Sequence, residues 1–240
     1  MKRIMKVAAL TACVGAMLGF VGCNSNGSGK PEDVVLEVLK KIQEGSADSA
    51  FLNKYCDEDT AKLFSGFGSE MTSALKGATF TVANVFVDDD VAVVKIKQDG
   101  GKEPGEFYYD AQIIDSQWKI KINKEAHGDY YCISQKTIIE CVEAFKAAAS
   151  KEGDVKYKER CTKEFWDEMQ GIVTKGSPDE LREIQKALSE LKIKGHKKSV
   201  LHDGAIEVNL EMPGKEDGSV THNDLILKIT DGKWKACKID

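Results

Sequence analysis

Apolar positions recur along the chain in two rhythms, one helical and one of strand type. Val35, Val38, Leu39 and Ile42 fall at the 3-4 spacing of a helix with a single apolar face, and Ile138, Cys141, Val142 and Phe145 repeat that spacing 103 residues later. A period of two follows each. Ala92, Val94 and Ile96 alternate with Val93, Lys95 and Lys97, and Ile206, Val208 and Leu210 alternate with Glu207, Asn209 and Glu211. A further strand pattern carries Tyr109, Ala111 and Ile113 in one place and Leu225, Leu227 and Ile229 in the other. Asp99-Gly100-Gly101 and Pro213-Gly214-Lys215 separate these runs as hairpin turns would.

The chain therefore reads as one unit written twice. Tyr55-Cys56-Asp57-Glu58 aligns with Arg160-Cys161-Thr162-Lys163 at an offset of 105, and the two strand patterns align at offsets of 114 and 116. Each copy ends on a similar phrase, Asp115-Ser-Gln-Trp118-Lys119 and Asp231-Gly-Lys-Trp234-Lys235. The offsets grow only in loop-like stretches, such as Glu44-Gly45-Ser46 against Lys151-Glu152-Gly153-Asp154. Each copy is expected to hold two helices, a third helical stretch and three or four antiparallel strands. Pro31, with Glu32 and Asp33 beside it, suits a first helical turn. Ser177-Pro178-Asp179-Glu180 has the spacing of a capping box before a helix running from Glu180 to Leu191; its counterpart lies near Glu70 to Leu75. Helices followed by a meander imply an α+β fold, here in two tandem domains at 31–125 and 130–240.

The first thirty residues carry an address. Met1 to Lys6 are positively charged, and the apolar run Val7 to Gly22 is the length of a signal-peptide core rather than of a membrane span. The run ends Phe20-Val21-Gly22-Cys23, which resembles the lipobox of bacterial lipoproteins, a motif that more often has Leu where Phe20 stands. That resemblance implies a signal peptide over 1–22, lipidation of Cys23, and a membrane anchor bearing acyl chains such as palmitate. Asn24-Ser-Asn-Gly-Ser-Gly29 then makes a polar tether over 23–30. Asn24 is not the Asp that retains lipoproteins in an inner membrane, so the resemblance implies the outer membrane of a bacterial cell envelope.

Composition narrows the partners. With 42% hydrophobic and 30% charged residues the chain suits a folded globular protein. Its net charge is −5, and −8 once Lys2, Arg3 and Lys6 are removed, so no basic field is present for nucleic acid. Gly-rich phosphate loops, nucleophile elbows and metalloprotease helices are not found in the sequence.

The order of helices and meander, with an aspartate turn (Asp88-Asp89-Asp90) and a terminal Trp-Lys strand, resembles the nuclear transport factor 2-like superfamily. It looks most like bacterial lipoproteins with a small domain of unknown function from that group, whose opening resembles Pro31-Glu-Asp-Val-Val. The resemblance covers 31–122 and 133–240. It implies cone-like domains in which a curved sheet wraps a long first helix, with a cavity that members use for ligands or, in the isomerase and cyclase branches, for proton transfer. Other members fill the cone with side chains and dimerise through the sheet.

An isomerase-like site needs a carboxylate base in an apolar cavity and a tyrosine or protonated acid opposite it. Tyr108, Tyr109 and Asp110 lie on one strand of the first copy, where the second copy has Asp224, Leu225 and Ile226. Tyr55 and Tyr157, on the second helices, are candidate cavity-lining residues with Tyr109. No catalytic residue is assigned. Four histidines, at 127, 196, 202 and 222, show no close ligand pair, although a hairpin would bring His222 towards His202; no metal or cofactor is read. The leading expectation is a non-enzymatic binding or scaffolding module, taking a small apolar ligand or an envelope protein through its cavity or sheet face. The competing expectation is a small-molecule enzyme of isomerase or cyclase type in the first cavity.

Five cysteines remain after Cys13 and Cys23, an odd number: Cys56, Cys132, Cys141, Cys161 and Cys237. An exported compartment permits disulfides. Cys141 and Cys161 sit on successive helices and are the candidate bridge, Cys237 competes for either, and buried inert thiols are the alternative. Between the copies, Tyr130-Tyr131 could stack at the seam or on a partner.

Overall fold

Helix α1 (Pro31–Gln43) forms where the chain has its clearest apolar stripe. Pro31 occupies the first turn, Glu32 and Asp33 face the positive end of the helix dipole, and Lys40 and Lys41 face the negative end. The helix stops at Gly45, whose φ of +66° is the left-handed conformation that glycine adopts without a Cβ clash. The computed structural model describes residues 29–122, 132–150, 155–202, 204–214 and 218–240. The expected signal peptide, Cys23 and most of the expected tether lie outside them, as do His127, Tyr130 and Tyr131.

Three short helices follow in the first half: α2 (Ser49–Tyr55), α3 (Glu58–Gly66) and α4 (Gly68–Leu75). Asp48 and Asp57 cap two of them by accepting from the amides of Phe51 and Thr60 at 2.8 and 2.9 Å. The chain then makes a meander of β1 (Thr79–Asp88), β2 (Val91–Asp99), β3 (Gly105–Ile114) and β4 (Gln117–Ile120), paired in that order and antiparallel. The second half repeats this plan. Helix α5 (Gln135–Ala148) is followed by a 3-10 turn (Val155–Arg160), α6 (Lys163–Lys175) and α7 (Pro178–Ser189). Strands β5 (Lys192–Lys198), β6 (Ala205–Pro213), β7 (Val220–Thr230) and β8 (Lys233–Ile239) form a second four-stranded meander. The fold is α+β, two tandem units with helices packed on a curved antiparallel sheet, as the alternating rhythms predict.

Four strands complete each sheet. The strand that opens each meander is the hardest to foresee, because β5 (KIKGHKK) is an edge strand with most residues exposed and no clean alternation. Both opening strands carry a β-bulge, between Val82 and Asn84 and between Ile193 and Gly195. Bulges bend a strand and increase its twist, which curves each sheet around its first helix. The capping box at Ser177 and Glu180 is present, with both reciprocal bonds made.

The repeat extends to side-chain register. Ala92 pairs with Ala111 and Val94 with Tyr109; in the second sheet Ile206 pairs with Leu227 and Val208 with Leu225. The chain after the second helical segment forms a parallel bridge to the last strand in both halves, Cys56 to Ile120 and Cys161 to Ala236. The amides of Asp57 and Thr162 then donate to the carbonyls of Ile120 and Ala236 at 2.9 and 2.8 Å. Each half closes around its own core. Val35, Val38, Leu39 and Ile42 pack on Val94, Ile96 and Trp118, while Ile138, Cys141, Val142 and Phe145 pack on Val208, Leu210 and Trp234. Each such aliphatic contributes about 1.5–3 kcal/mol on burial.

The two terminal tryptophans differ in one respect. Both are about 1% exposed, but Trp234 Nε1 donates to the carbonyl of Cys132 at 2.8 Å, whereas Trp118 Nε1 is, among the described residues, the buried side-chain polar atom without a partner. Replacing each by Phe removes similar ring volume but leaves the Cys132 carbonyl unpaired in one case and relieves an orphan donor in the other. Trp234→Phe is therefore expected to destabilise by about 1–3 kcal/mol more than Trp118→Phe in urea unfolding; equal losses would contradict this account.

Candidate functional site

Strand alternation decides what Tyr109 and Asp110 can do together. Successive side chains on β3 point to opposite faces of the sheet. Tyr109 turns to the helix side and packs against the first core, and burial pushes its hydroxyl up to about 12. Asp110 turns the other way and lines a cavity of about 320 Å³ where the two halves meet. The acid and the tyrosine that an isomerase would need at one cavity are thus divided by the sheet that carries them.

The other candidate tyrosines lie apart from Tyr109. Tyr55 ends α2, its ring 4.8 Å from that of Phe51, and its hydroxyl accepts from Lys54 Nζ at 3.0 Å on the exposed side. Tyr157 stands in the 3-10 turn of the second half rather than on an α-helix, packed against the second core, with Lys156 Nζ 4.5 Å from the ring centre. By the cysteine alignment Tyr157 takes the place of Leu52, which is fully buried. In the second sheet Leu225 and Leu227 occupy the positions of Tyr109 and Ala111 and are completely buried. Among the described residues each half thus has its own cluster of buried side chains between helices and sheet.

The seam holds the concentration of polar chemistry. Ile122, Ile133 and Ile206 give the cavity apolar walls, and Asp110, Gln112, Lys121 and His196 give it polar ones. Lys121 Nζ donates to Gln112 Oε1 at 2.9 Å. Cys132 also lines it, and its thiol lies well above the usual range because it is buried and faces the carboxylates of Asp88 and Asp110. Its volume lies near the lower bound for ligand pockets.

Beside the cavity the halves are clamped. Asp88, at the end of β1, accepts from the amide of Ser134 at 2.7 Å and from the Thr137 hydroxyl at 2.9 Å, both at the start of α5. Ser134 in turn caps α5 by accepting from the Thr137 amide at 3.0 Å. Lys136 Nζ lies 3.2 Å from Asp89 Oδ1, and Phe86 sets its ring edge-on to Trp234 with centroids 6.5 Å apart. From sequence, Asp88-Asp89-Asp90 read only as a turn, and nothing in its local pattern marked the helix it would meet 46 residues on. A Ser-x-x-Thr at the start of a helix was the available signal.

The expected bridge between Cys141 and Cys161 is replaced by two thiols, and Cys56, Cys132 and Cys237 are free as well. Cys141 Sγ points at the carbonyl of Trp234, 3.6 Å away, and Cys161 is held by its strand bridge to Ala236. Burial pushes the thiols of Cys56, Cys141 and Cys161 up to about 12, so none is a nucleophile at neutral pH. His202 pairs with Asp240, Nε2 to Oδ2 at 3.1 Å, while His222 lies on β7 opposite Glu211. Among the described residues no group of three or more His, Cys, Asp or Glu is placed to hold a metal ion.

No family model matches the chain. No curated protein sequence matches it either. Similar solved structures include an Ntf2-like protein involved in plasmid conjugation, with 13% identity, a TM-score of 0.26, and coverage of 88% of this chain and 96% of that one. Another is a cystatin-like protein from Ruminococcus gnavus, with 10% identity, a TM-score of 0.24, and coverage of 86% and 87%. At these scores neither likeness bears on function.

Two outcomes follow from the clamp and the thiols. Burial of Asp88 raises its carboxyl above the ordinary aspartate value, outweighing the bonds donated by Ser134 and Thr137. The folded state then binds this proton more tightly than the unfolded chain. The stability advantage of the wild type over Asp88→Asn should be fully present below the ordinary aspartate value and fall as pH rises through the raised one. Equilibrium unfolding of both chains across that window checks the sign. Alkylation should find Cys56, Cys141 and Cys161 unreactive in the native protein at neutral pH. In denaturant without reductant it should modify all five thiols; a pair missing there would establish a bridge.

Proposed function

We propose that this chain is a lipid-anchored, non-enzymatic binding or scaffolding module of the bacterial cell envelope. Cys23 carries the anchor, on the outer membrane, and the two α+β units stand clear of the bilayer on the tether. The resemblance of both copies to nuclear transport factor 2-like lipoproteins, and of Phe20-Val21-Gly22-Cys23 to a lipobox, supports the address. Among the described residues no helix is long and apolar enough to cross a membrane.

One observation carries the non-enzymatic reading: Tyr109 packs against the first core while Asp110 lines the seam cavity, so the two face opposite sides of their strand. An isomerase needs base and acid on one substrate, within hydrogen-bond reach of the same few atoms. The seam cavity favours a second reading, a small, partly apolar ligand held between Ile122, Ile133 and Ile206 and recognised through Asp110, Gln112 or His196. An envelope protein bound on the outer surface is the alternative occupant of the same scaffold.

Two measurements test this. The wild-type chain should fractionate with membranes and carry acyl mass on its mature N-terminus, and Cys23→Ser should move it to the soluble fraction; a membrane-bound Cys23→Ser chain would remove the anchor. Native mass spectrometry of the protein taken from the envelope should show the mass of the lipidated polypeptide with no further small molecule, alone or with a protein partner. A small-molecule mass lost on denaturation would instead favour the seam cavity as a ligand site.

A further inference from the structure

Two buried tryptophans hold the same place in their copies, yet one indole has a partner and the other has none. Trp118 lies opposite Ile113 on the last strand of the first sheet, and Trp234 lies opposite Ile229 on the last strand of the second. Each of these strands packs against the first helix of its own half, β4 on α1 and β8 on α5. Trp234 Nε1 donates to the carbonyl of Cys132, in the segment that leads into α5. Trp118 is equally buried, and its Nε1 is unpaired. A buried donor without a partner costs free energy, so any acceptor that can reach it gains by doing so.

The repeat points to that acceptor. At the offset of 103 that relates α1 to α5, Cys132 corresponds to Gly29. The bond made by Cys132 uses a main-chain carbonyl, which every residue carries, so Gly29 can repeat it whatever its side chain. Two differences hold it away. Gly29 has a φ of +86°, whereas Cys132 is not left-handed, and this re-aims the main chain just before α1. Lys30 stands where the second half has Ile133, which is buried in the same core as Trp234; Lys30 is exposed, so no apolar side chain draws this segment inward.

Neither difference is a steric bar. Glycine populates negative φ as readily as positive, and a Cβ at Gly29 would meet nothing within 4 Å. Pro31 corresponds to Ser134, the cap of α5, whose φ of −75° lies in the range that the proline ring allows. The first half can therefore take the backbone path of the second.

We propose that the Trp118 indole N–H is a docking site for the segment that enters α1, with the Gly29 carbonyl as its acceptor and Gly29 as the hinge that opens and closes the contact. Closed, the segment lies against Trp118 as Cys132 lies against Trp234. Open, Trp118 is unpaired, and this is the more populated state of the wild type. The choice sets the direction in which the chain leaves the first half. The proposal goes beyond the envelope-scaffold reading and does not depend on the anchor, so its failure leaves that reading intact.

The test uses residues 24–240, which contain every described element, with nitrogen-15 in the indoles. Gly29→Ala with Lys30→Ile disfavours the left-handed state and supplies the missing apolar side chain. Loss of the left-handed state alone should shift the balance toward the closed form by about five- to thirtyfold. A nuclear Overhauser cross-peak from the Trp118 indole proton to the α-proton of residue 29 should be weak in the wild type and strong in the double variant. In urea unfolding, the loss caused by Trp118→Phe should grow in the double variant and approach that caused by Trp234→Phe, which should itself stay unchanged. Three results would overturn the proposal: a cross-peak missing from the double variant or confined to it, a Trp118 indole proton that meets water alone, or a Trp118→Phe loss that fails to grow.

Discussion

A main-chain hydrogen bond made once in each half holds the architecture together. The Asp57 amide donates to Ile120, and the Thr162 amide to Ala236, tying the start of a helix to the last strand of a sheet across more than sixty residues of chain. Closing loops of that length is entropically costly, so the bond stands only because apolar burial on both sides of it is already in place. Asp57 and Thr162 also cap the helices they begin, so a single residue in each copy sets both a helix start and a helix-to-sheet contact. The cysteine beside each, Cys56 or Cys161, is buried at this junction as a small apolar side chain. The alignment of the two cysteines is therefore the imprint of a packing site rather than of redox chemistry.

Duplication supplies two surfaces of each kind, and the chain uses them unequally. One acidic turn meets one helix start, where Asp88 accepts from Ser134 and Thr137 and Asp89 pairs with Lys136; the corresponding Ser199, Pro31 and Val34 of the other copy cannot repeat those side-chain bonds. Phe86 reaches out of its own sheet to cover Trp234, so part of the second core is built by the first half. The halves are copies in plan and partners in fact, and the difference lies in a handful of surface residues.

Much of the site chemistry is set by the pleat. Adjacent residues on a strand are neighbours in sequence and strangers in environment. Tyr109 enters a dry core, where its hydroxyl is a poor proton donor, while Asp110 enters a cavity shared with the other half. The polar residues Asp110, Gln112, Lys121 and His196 gather at the joint between the halves.

Periodicity, turn residues and the offset between copies were enough to determine the α+β class, the tandem plan and the helix faces, because those depend on patterns repeated over ten or more neighbouring residues. The capping box at Ser177 and the stripe of α1 were legible for the same reason. The opening strands were less so, since edge strands such as β5 bury little and need no alternation. Only tertiary structure decided that Asp88 meets Ser134 and Thr137, that Phe86 covers Trp234, and that Cys141 faces a carbonyl instead of Cys161. These contacts join residues far apart in the chain whose local sequence is satisfied either way. Their energy comes from desolvation and complementary charge at one particular docking, which no pattern along a single strand or helix encodes.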